Sequence, residues 1–173
     1  TYNAFPAIVE DYMNQVNAKI GTDYKPFNYI GAPDAERVII AMGSVCETID
    51  ETIEYLVSKG EKVGAIKVRL YRPFSAKHLL SVMPKTVKTI NVIDRTKEAG
   101  SAGEPLYLDV VAALSKSEFA GVKILNGRYG LAGKNTTPMD IIAILNNEDK
   151  YDFTVGIVDD LTHKSLERGE HVD

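Results

Sequence analysis

The sequence predicts a three-layer α/β/α domain with a mostly parallel sheet. Between Arg37 and Val158, short β-branched runs alternate with segments of helical periodicity, as in parallel sheets covered by helices on both faces. Residues 38–42 are apolar throughout, which is typical of a central strand buried on both sides. A chain of 173 residues with 45% hydrophobic residues can bury one core of this size. We therefore expect one α/β domain.

The predicted strands follow one another at regular spacing. They are expected at 38–42, 63–70, 89–94 and 122–125, with a last, peripheral strand at 153–158. Because right-handed crossovers leave the carboxyl ends of parallel strands at one edge, the loops at Gly43, Tyr71, Arg95 and Asn126 should gather there. We expect functional contacts at that edge.

The helices between the strands have recognisable starts. Ser44 with Glu47 has the spacing of a capping box, Ser75 is a candidate cap, and Pro105 suits a first helical turn. A further helix is predicted to open at Thr137 and Pro138. In the helix predicted after Ser44, the apolar residues recur every three or four positions, so one apolar stripe should face the sheet.

A helix is also predicted over residues 5–20, with apolar residues at Ile8, Tyr12, Val16 and Ile20 but no strand before it. We interpret it as a connecting helix. The predicted division is a connecting helix and linker at 1–26, the α/β domain at 27–158 and a second linker at 159–173. Because the chain begins at Thr1 and ends in a polar stretch, we expect a segment of a longer polypeptide.

Composition narrows the function classes. A net charge of −4 with scattered basic residues argues against nucleic acid or an anionic membrane as partner. No apolar run approaches the roughly 20 residues that span a bilayer, and we expect a cytoplasmic protein. The single Cys46 cannot form an internal disulfide or ligate an iron–sulfur cluster, and the three histidines, His78, His163 and His171, lack metal-ligand spacing. We predict no catalytic, cofactor-binding or metal-binding residue in this chain.

Several basic residues could contact an anion or a protein partner. Gly43 and Ser44 lie at a strand-to-helix turn that could hold an anion, although plain helix capping explains them too. Neither a G-x-G-x-x-G fingerprint nor a Walker lysine is present. Four basic residues at predicted strand ends could grip a phosphate or an acidic loop, although solvated surface charge explains them almost as well: Arg69, Arg72, Arg95 and Lys97.

Two further features have alternative interpretations. Residues 127–134, which include Arg128, form either a turn or a docking surface. Cys46 lies in a first helical turn, where the helix dipole could lower the thiol pKa, but a lone Cys at such a position is usually a small packed residue.

Six runs of this sequence, in order along the chain, resemble one known family. They are GAPDAERVIIAMGSVC at 31–46, VRLYRPF at 68–74, DRTKE at 94–98, GEPLY at 103–107, GRYGL at 127–131 and TTP at 136–138. Together these runs resemble the second domain of pyruvate:ferredoxin (flavodoxin) oxidoreductases.

The resemblance implies a fold similar to the C-terminal domain of transketolase, with an antiparallel edge strand near Phe27 to Ile30. It further implies a parent enzyme that decarboxylates pyruvate on thiamine diphosphate and Mg²⁺, passes electrons through iron–sulfur clusters to ferredoxin or flavodoxin, and releases acetyl-CoA. The implied partners are other domains of the parent polypeptide, a second subunit and the electron carrier. This chain would be a structural and interface domain, inactive alone. The alternative is a stand-alone flavodoxin-like module that binds an anion or another ligand.

Overall fold

The computed structural model describes residues 2–168, in which helices cover both faces of one sheet. The helices are α1 (Phe5–Ile20), α2 (Val45–Ser58), α3 (Ala76–Val82), α4 (Pro105–Leu114) and α5 (Pro138–Asn146). The strands are β1 (Phe27–Gly31), β2 (Arg37–Met42), β3 (Val63–Val68), β4 (Thr89–Asp94), β5 (Lys123–Arg128) and β6 (Phe153–Thr154).

The sheet has the strand order β1-β3-β2-β4-β5-β6. β1 runs antiparallel to β3, and the remaining neighbours pair in parallel. The prediction of a three-layer, mostly parallel α/β fold is thus confirmed, together with an antiparallel edge strand near residues 27–30.

Alternation along the central strand β2 divides the core into two layers. Val38 and Ile40 belong to the layer beneath α3 and α4, whereas Ile39 and Ala41 belong to the layer beneath α2 and α5. Successive side chains of a strand point to opposite faces, so an uninterrupted apolar run requires helices on both sides. The sequence of β2 alone therefore specifies three layers.

Three strands have different bounds from those predicted, the first being β3, which ends at Val68 and not at residue 70. β5 continues to Arg128, because Asn126, Gly127 and Arg128 pair with residues 92–94 of β4. Gly127 allows the Phe153 ring to pack directly on the strand, since a Cβ there would lie 2.1 Å from the ring atom Cζ. The strand predicted at 153–158 contains only two residues, and Gly156 has a positive φ of 78°.

The structure confirms the predicted cap at Ser75 and the predicted helix start at Thr137, and it corrects the capping box predicted at Ser44. The Ser75 side chain accepts a hydrogen bond from the His78 amide, and Thr137 forms a full capping box with Asp140. The capping box predicted for Ser44 is wrong. Ser44 itself has helical dihedrals (φ −65°, ψ −23°) and makes no capping bond, whereas a capping side chain needs an extended backbone at that residue.

Both ends of the described chain contact the domain. At the amino end, Glu10 Oε2 of α1 lies 3.1 Å from His78 Nε2. At the other end, the Thr154 amide donates to the Lys164 carbonyl and the Leu166 amide donates to the Thr154 carbonyl, each over 2.9 Å. The predicted division at residues 26 and 158 stays a prediction. Thr1, the end of the second predicted linker (169–173) and His171 lie outside the described residues.

Candidate functional site

The topology opens a crevice at one point of the sheet's carboxyl edge. The chain leaves β2 towards β3 on one side and later returns to β4 on the other, so the strand order reverses between β2 and β4. The helices that follow β2 and β4 cover opposite faces of the sheet. In open α/β sheets, ligands and partners bind preferentially at such a switch point.

A cleft of about 160 Å³ lies at this switch point. Ser44 comes from the turn after β2, Arg95 from the turn after β4, and Lys134 from the loop after β5. The remaining lining residues are Val45, Thr48, Tyr129, Gly130, Asn135 and Thr136. The cleft therefore combines two cationic side chains with several hydroxyl and amide groups.

Arg95 is positioned by the end of β4. The carboxylate of Asp94 accepts hydrogen bonds from the Arg95 amide at 3.0 Å and from the Leu106 amide at 3.2 Å. Burial raises the pKa of this carboxyl group, and the two amide donors act against that increase. Asp94 thus ties the turn after β4 to the first turn of α4, while the Arg95 side chain extends along Gly130.

The cleft carries two positively charged side chains, Arg95 and Lys134. Within residues 2–168, no carboxylate lies within 4.0 Å of the Arg95 or Lys134 head groups, and both side chains are exposed. The amino end of α2 adds the positive end of a helix dipole beside them. This arrangement suits a carboxylate or a phosphate group.

Two titratable groups beside the cleft are held in their neutral forms. Burial, with a smaller contribution from Asp50, raises the pKa of the Cys46 thiol to about 11. Burial also raises the pKa of Tyr129, whose hydroxyl donates to the Met42 carbonyl over 3.3 Å. A half-buried thiol with a raised pKa suits the packed-residue interpretation of Cys46 better than a nucleophile.

Arg128 occupies a different environment from the one its sequence suggests. It ends β5 rather than lying in a loop, and its side chain is 9% exposed. The guanidinium forms ion pairs with Glu104, which precedes α4, and with Asp152, which precedes β6. Because its charge is already paired inside the domain, Arg128 is not among the groups that the cleft offers to an anion.

The other predicted basic residues do not form one cluster. Arg69 Nε donates to Asn28 Oδ1 over 2.7 Å and stacks over the Tyr24 ring at the antiparallel edge. Arg72 forms a 2.8 Å ion pair with Asp109 on the α4 side. Lys97 lies exposed in the loop after β4 and does not line the cleft. Only Ser44 and Arg95, with Gly43 just before Ser44, are brought together.

Sequence reasoning included Lys134 in the candidate docking segment 127–134, but it missed residues 135 and 136 and the role of Glu104. The available signal for residues 135 and 136 was the Thr-Thr-Pro sequence at 136–138, which predicts a helix start at the carboxyl edge of the sheet. The loop that leads to this helix start passes the switch point. Glu104 sits directly before Pro105 and has an extended backbone at the cap position. The sequence could not predict the ion pair between the Glu104 carboxylate and Arg128, because that pair depends on β4 and β5 being neighbours in the sheet.

Within the described part of the chain, no group of three His, Cys, Asp or Glu side chains could hold a metal ion. Across residues 2–168, no helix has both the length and the apolar character of a membrane span.

The fold and the cleft define a doubly wound α/β domain with an anion-compatible crevice at its switch point.

Comparison with known proteins gives the family. The family model described as pyruvate:ferredoxin oxidoreductase core domain II matches residues 35–141. The chain belongs to that family.

Two curated relatives match nearly the whole chain. It is 54% identical to the pyruvate:ferredoxin oxidoreductase of Moorella thermoacetica, over 99% of this chain and 15% of that protein. It is also 54% identical to the pyruvate-flavodoxin oxidoreductase of Enterobacter agglomerans, over 95% of this chain and 14% of that protein. The chain therefore spans about 15% of the length of these relatives.

A solved structure shares the fold. The 2-oxoglutarate:ferredoxin oxidoreductase from Magnetococcus marinus, with 2-oxoglutarate, coenzyme A and succinyl-CoA bound, matches 82% of this chain and 23% of its own. The TM-score is 0.50 and the sequence identity is 17%. At this identity the likeness shows the architecture alone.

Proposed function

We propose that this chain is an internal structural and interface domain of a pyruvate:ferredoxin or pyruvate:flavodoxin oxidoreductase. The observation that carries the proposal is the match of nearly the whole chain to about 15% of such proteins at 54% identity. The whole protein would convert pyruvate and coenzyme A into acetyl-CoA and CO₂ and transfer the electrons to ferredoxin or flavodoxin. We further propose that it is a cytoplasmic homodimer that docks its electron carrier. The same match does not favour a stand-alone flavodoxin-like module.

The chemistry of the whole protein needs groups that this chain is poorly equipped to hold. Thiamine diphosphate with Mg²⁺, iron–sulfur clusters and coenzyme A are the cofactors and co-substrate that the family resemblance implies. Iron–sulfur clusters need several thiolates, whereas the chain has one cysteine, and burial raises the pKa of that thiol to about 11. The iron–sulfur clusters would therefore be bound by other parts of the protein, and the domain's own contribution would be its shape and its surfaces.

Within that role, we propose that the cleft accepts an acidic side chain from a neighbouring domain. Arg95 and Lys134 have no carboxylate partner among residues 2–168, and the amino end of α2 lies beside them. An acidic side chain in this cleft would gain two cationic neighbours and a favourable helix dipole.

Charge reversal in the full-length polypeptide tests the interface. Arg95→Glu should lower the thermal stability of the full-length protein, because it replaces attraction by repulsion in the cleft. Lys97→Glu makes the same charge change two residues away, outside the cleft, and should leave the stability unchanged. Equal melting temperatures for the two variants would contradict the proposed contact.

Activity measurements test the proposed reaction. The full-length protein should reduce a viologen dye only when both pyruvate and coenzyme A are supplied. The chain 1–173 should show no such activity, and thiamine diphosphate with Mg²⁺ should not raise its melting temperature, since a ligand of the native state stabilises it. Pyruvate-dependent reduction by the chain alone would refute a purely structural role.

A further inference from the structure

The connecting helix α1 has two distinct side-chain faces. One face carries Pro6, Glu10, Met13 and Asn17, which recur at spacings of four, three and four and are buried or half-buried. From this face, Glu10 contacts His78 at 3.1 Å.

The second face is apolar and exposed. Phe5, Ile8, Tyr12, Val16 and Ile20 follow one another at spacings of three or four residues, so they form a continuous stripe along the helix. Their exposed fractions are 43%, 50%, 65%, 42% and 66%, in that order. All five side chains stay partly exposed in the described domain, although their spacing is that of a buried helix face. We call it the α1 stripe.

The exposed apolar area of the α1 stripe indicates which kind of partner could cover it. Two aromatic and three aliphatic side chains, about half exposed, present on the order of 500 Å² of apolar surface. A stable complex of separate chains buries roughly 800 Å² on each partner. A contact between domains of one polypeptide can be smaller, because the covalent connection supplies a high effective concentration. The area therefore favours a tethered partner over a second copy of this chain.

The length of the relatives and the charged residues of α1 also favour a partner within the same polypeptide. About 85% of the length of the curated relatives lies outside the region that this chain matches, so such a partner surface is available in proteins of this family. Within α1 the charged residues are Glu10, Asp11 and Lys19, so the helix has a single basic residue. A helix that lies on an anionic bilayer would instead be rich in Lys and Arg.

We propose that the α1 stripe docks against an apolar surface of another domain of the same polypeptide. This inference rests on the proposed function, in which the chain is one domain of a larger oxidoreductase. Because α1 is already helical and contacts α3 through Glu10 and His78, docking of the stripe would need less ordering than docking of an unstructured segment.

Hydrogen exchange in α1 tests the proposal. In the full-length protein, the α1 amides should exchange at least about tenfold more slowly than in the chain 1–173, because docking suppresses local opening. The double variant Tyr12→Glu/Val16→Glu should lose this additional protection. The matched control Asn14→Glu/Ala18→Glu places the same charges at the same spacing on the exposed polar side, and it should retain the protection.

Three results would overturn the proposal. The first is equal α1 exchange in the full-length protein and in the chain 1–173. The second, which needs only the full-length protein, is equal exchange in the stripe variant and the control variant. The third is a concentration-dependent dimer of the chain 1–173, seen by sedimentation and lost in the stripe variant, because a second copy would then cover the stripe.

The same preparations separate this inference from the proposed function. A full-length protein that reduces viologen with pyruvate but leaves α1 unprotected contradicts the stripe proposal alone. A protein that protects α1 but shows no pyruvate-dependent reduction contradicts the proposed reaction, while the docking of α1 stands.

Discussion

Arg95 and Arg128 lie at the ends of neighbouring parallel strands, yet they have opposite environments. Asp94, which precedes Arg95, pairs in register with Arg128 itself. Arg95 is exposed in the switch-point cleft, whereas Arg128 is buried between Glu104 and Asp152. Residue type and position along a strand therefore do not decide whether an arginine stabilises the domain or faces a partner. The carboxylates supplied by other elements decide it.

The two carboxylates reach Arg128 for different reasons. Glu104 is the residue before Pro105, so the start of α4 carries it over the end of β5. Asp152 adopts a positive φ of 62° just before β6, and this turn aims its side chain back at Arg128. Lys164 also contacts Asp152, which links the segment after β6 to the same group.

The largest expected effect is the loss of the buried charge at Arg128. Arg128→Met should lower the free energy of unfolding by about 3–5 kcal/mol, because it leaves Glu104 buried without its partner. Arg95→Met makes the same substitution in the open cleft and should change stability by less than about 0.5 kcal/mol. Urea unfolding of both variants of the chain 1–173, in which no neighbouring domain contacts the cleft, measures the difference. Similar losses would mean that the two environments do not differ energetically.

Packing beside Arg128 should be the next most sensitive feature. In Gly127→Ala, the new Cβ would lie 2.1 Å from Phe153 Cζ, and overpacking of this kind costs about 1–3 kcal/mol. Gly121→Ala is the matched control, because no atom lies within 4 Å of its added Cβ. It should be neutral or stabilise by up to about 1 kcal/mol. A tolerated Gly127→Ala would indicate that β6 can move away from β5.

The helix starts on the cleft side provide a third, smaller contrast. Thr137→Ala removes a capping box and should destabilise by about 1 kcal/mol. Ser44→Ala removes a hydroxyl that makes no capping bond, so it should cost less than about 0.5 kcal/mol. Thermal unfolding at fixed pH compares them. Equal costs would restore the capping role that the sequence suggested for Ser44.

The smallest effect expected is a change in acid sensitivity at Asp152. Hydrogen bonds from Lys164 and Arg128 lower its pKa against the opposing effect of burial. A lowered folded-state pKa stabilises the domain above the unfolded value of about 3.9, and the stabilisation is lost as the pH falls through the folded value.

Asp152→Asn should therefore be less stable than wild type at pH 7, and the difference should shrink as the pH drops below about 4. Asparagine tolerates the positive φ at this position, so the backbone need not change. Chemical denaturation at a series of pH values measures the difference. A difference that is independent of pH would exclude the titration of Asp152 as its cause.

Much of the fold could be predicted from local patterns. The structure shows four features as expected: the apolar strand β2, the cap at Ser75, the helix start at Thr137 and Pro105 in a first helical turn. Each of them depends on neighbouring residues in the chain. The predicted end of β5 was wrong, because Asn126 and Arg128 look like loop residues until β4 and Glu104 satisfy their polar groups. The predicted length of β6 was also wrong, since that strand contains only two residues.

Less of the candidate site could be predicted. The sequence placed Gly43, Ser44 and Arg95 at one sheet edge, and the structure brings Ser44 and Arg95 to one cleft. It grouped Arg69 and Arg72 with them, although each binds a partner on a different side of the sheet. Strand order is a long-range property, and no local pattern states which strand ends are neighbours.

The sequence by itself determined the family, the layers of the fold and the amphipathic nature of α1 and α2, because periodicity and motif runs are properties of consecutive residues. Only the tertiary structure decided which apolar stripe is buried and which arginine is paired. The stripe of α2 packs on the sheet, while the equally periodic stripe of α1 stays exposed. Periodicity shows that a helix face needs an apolar neighbour, but the identity of that neighbour depends on contacts between residues far apart in the chain.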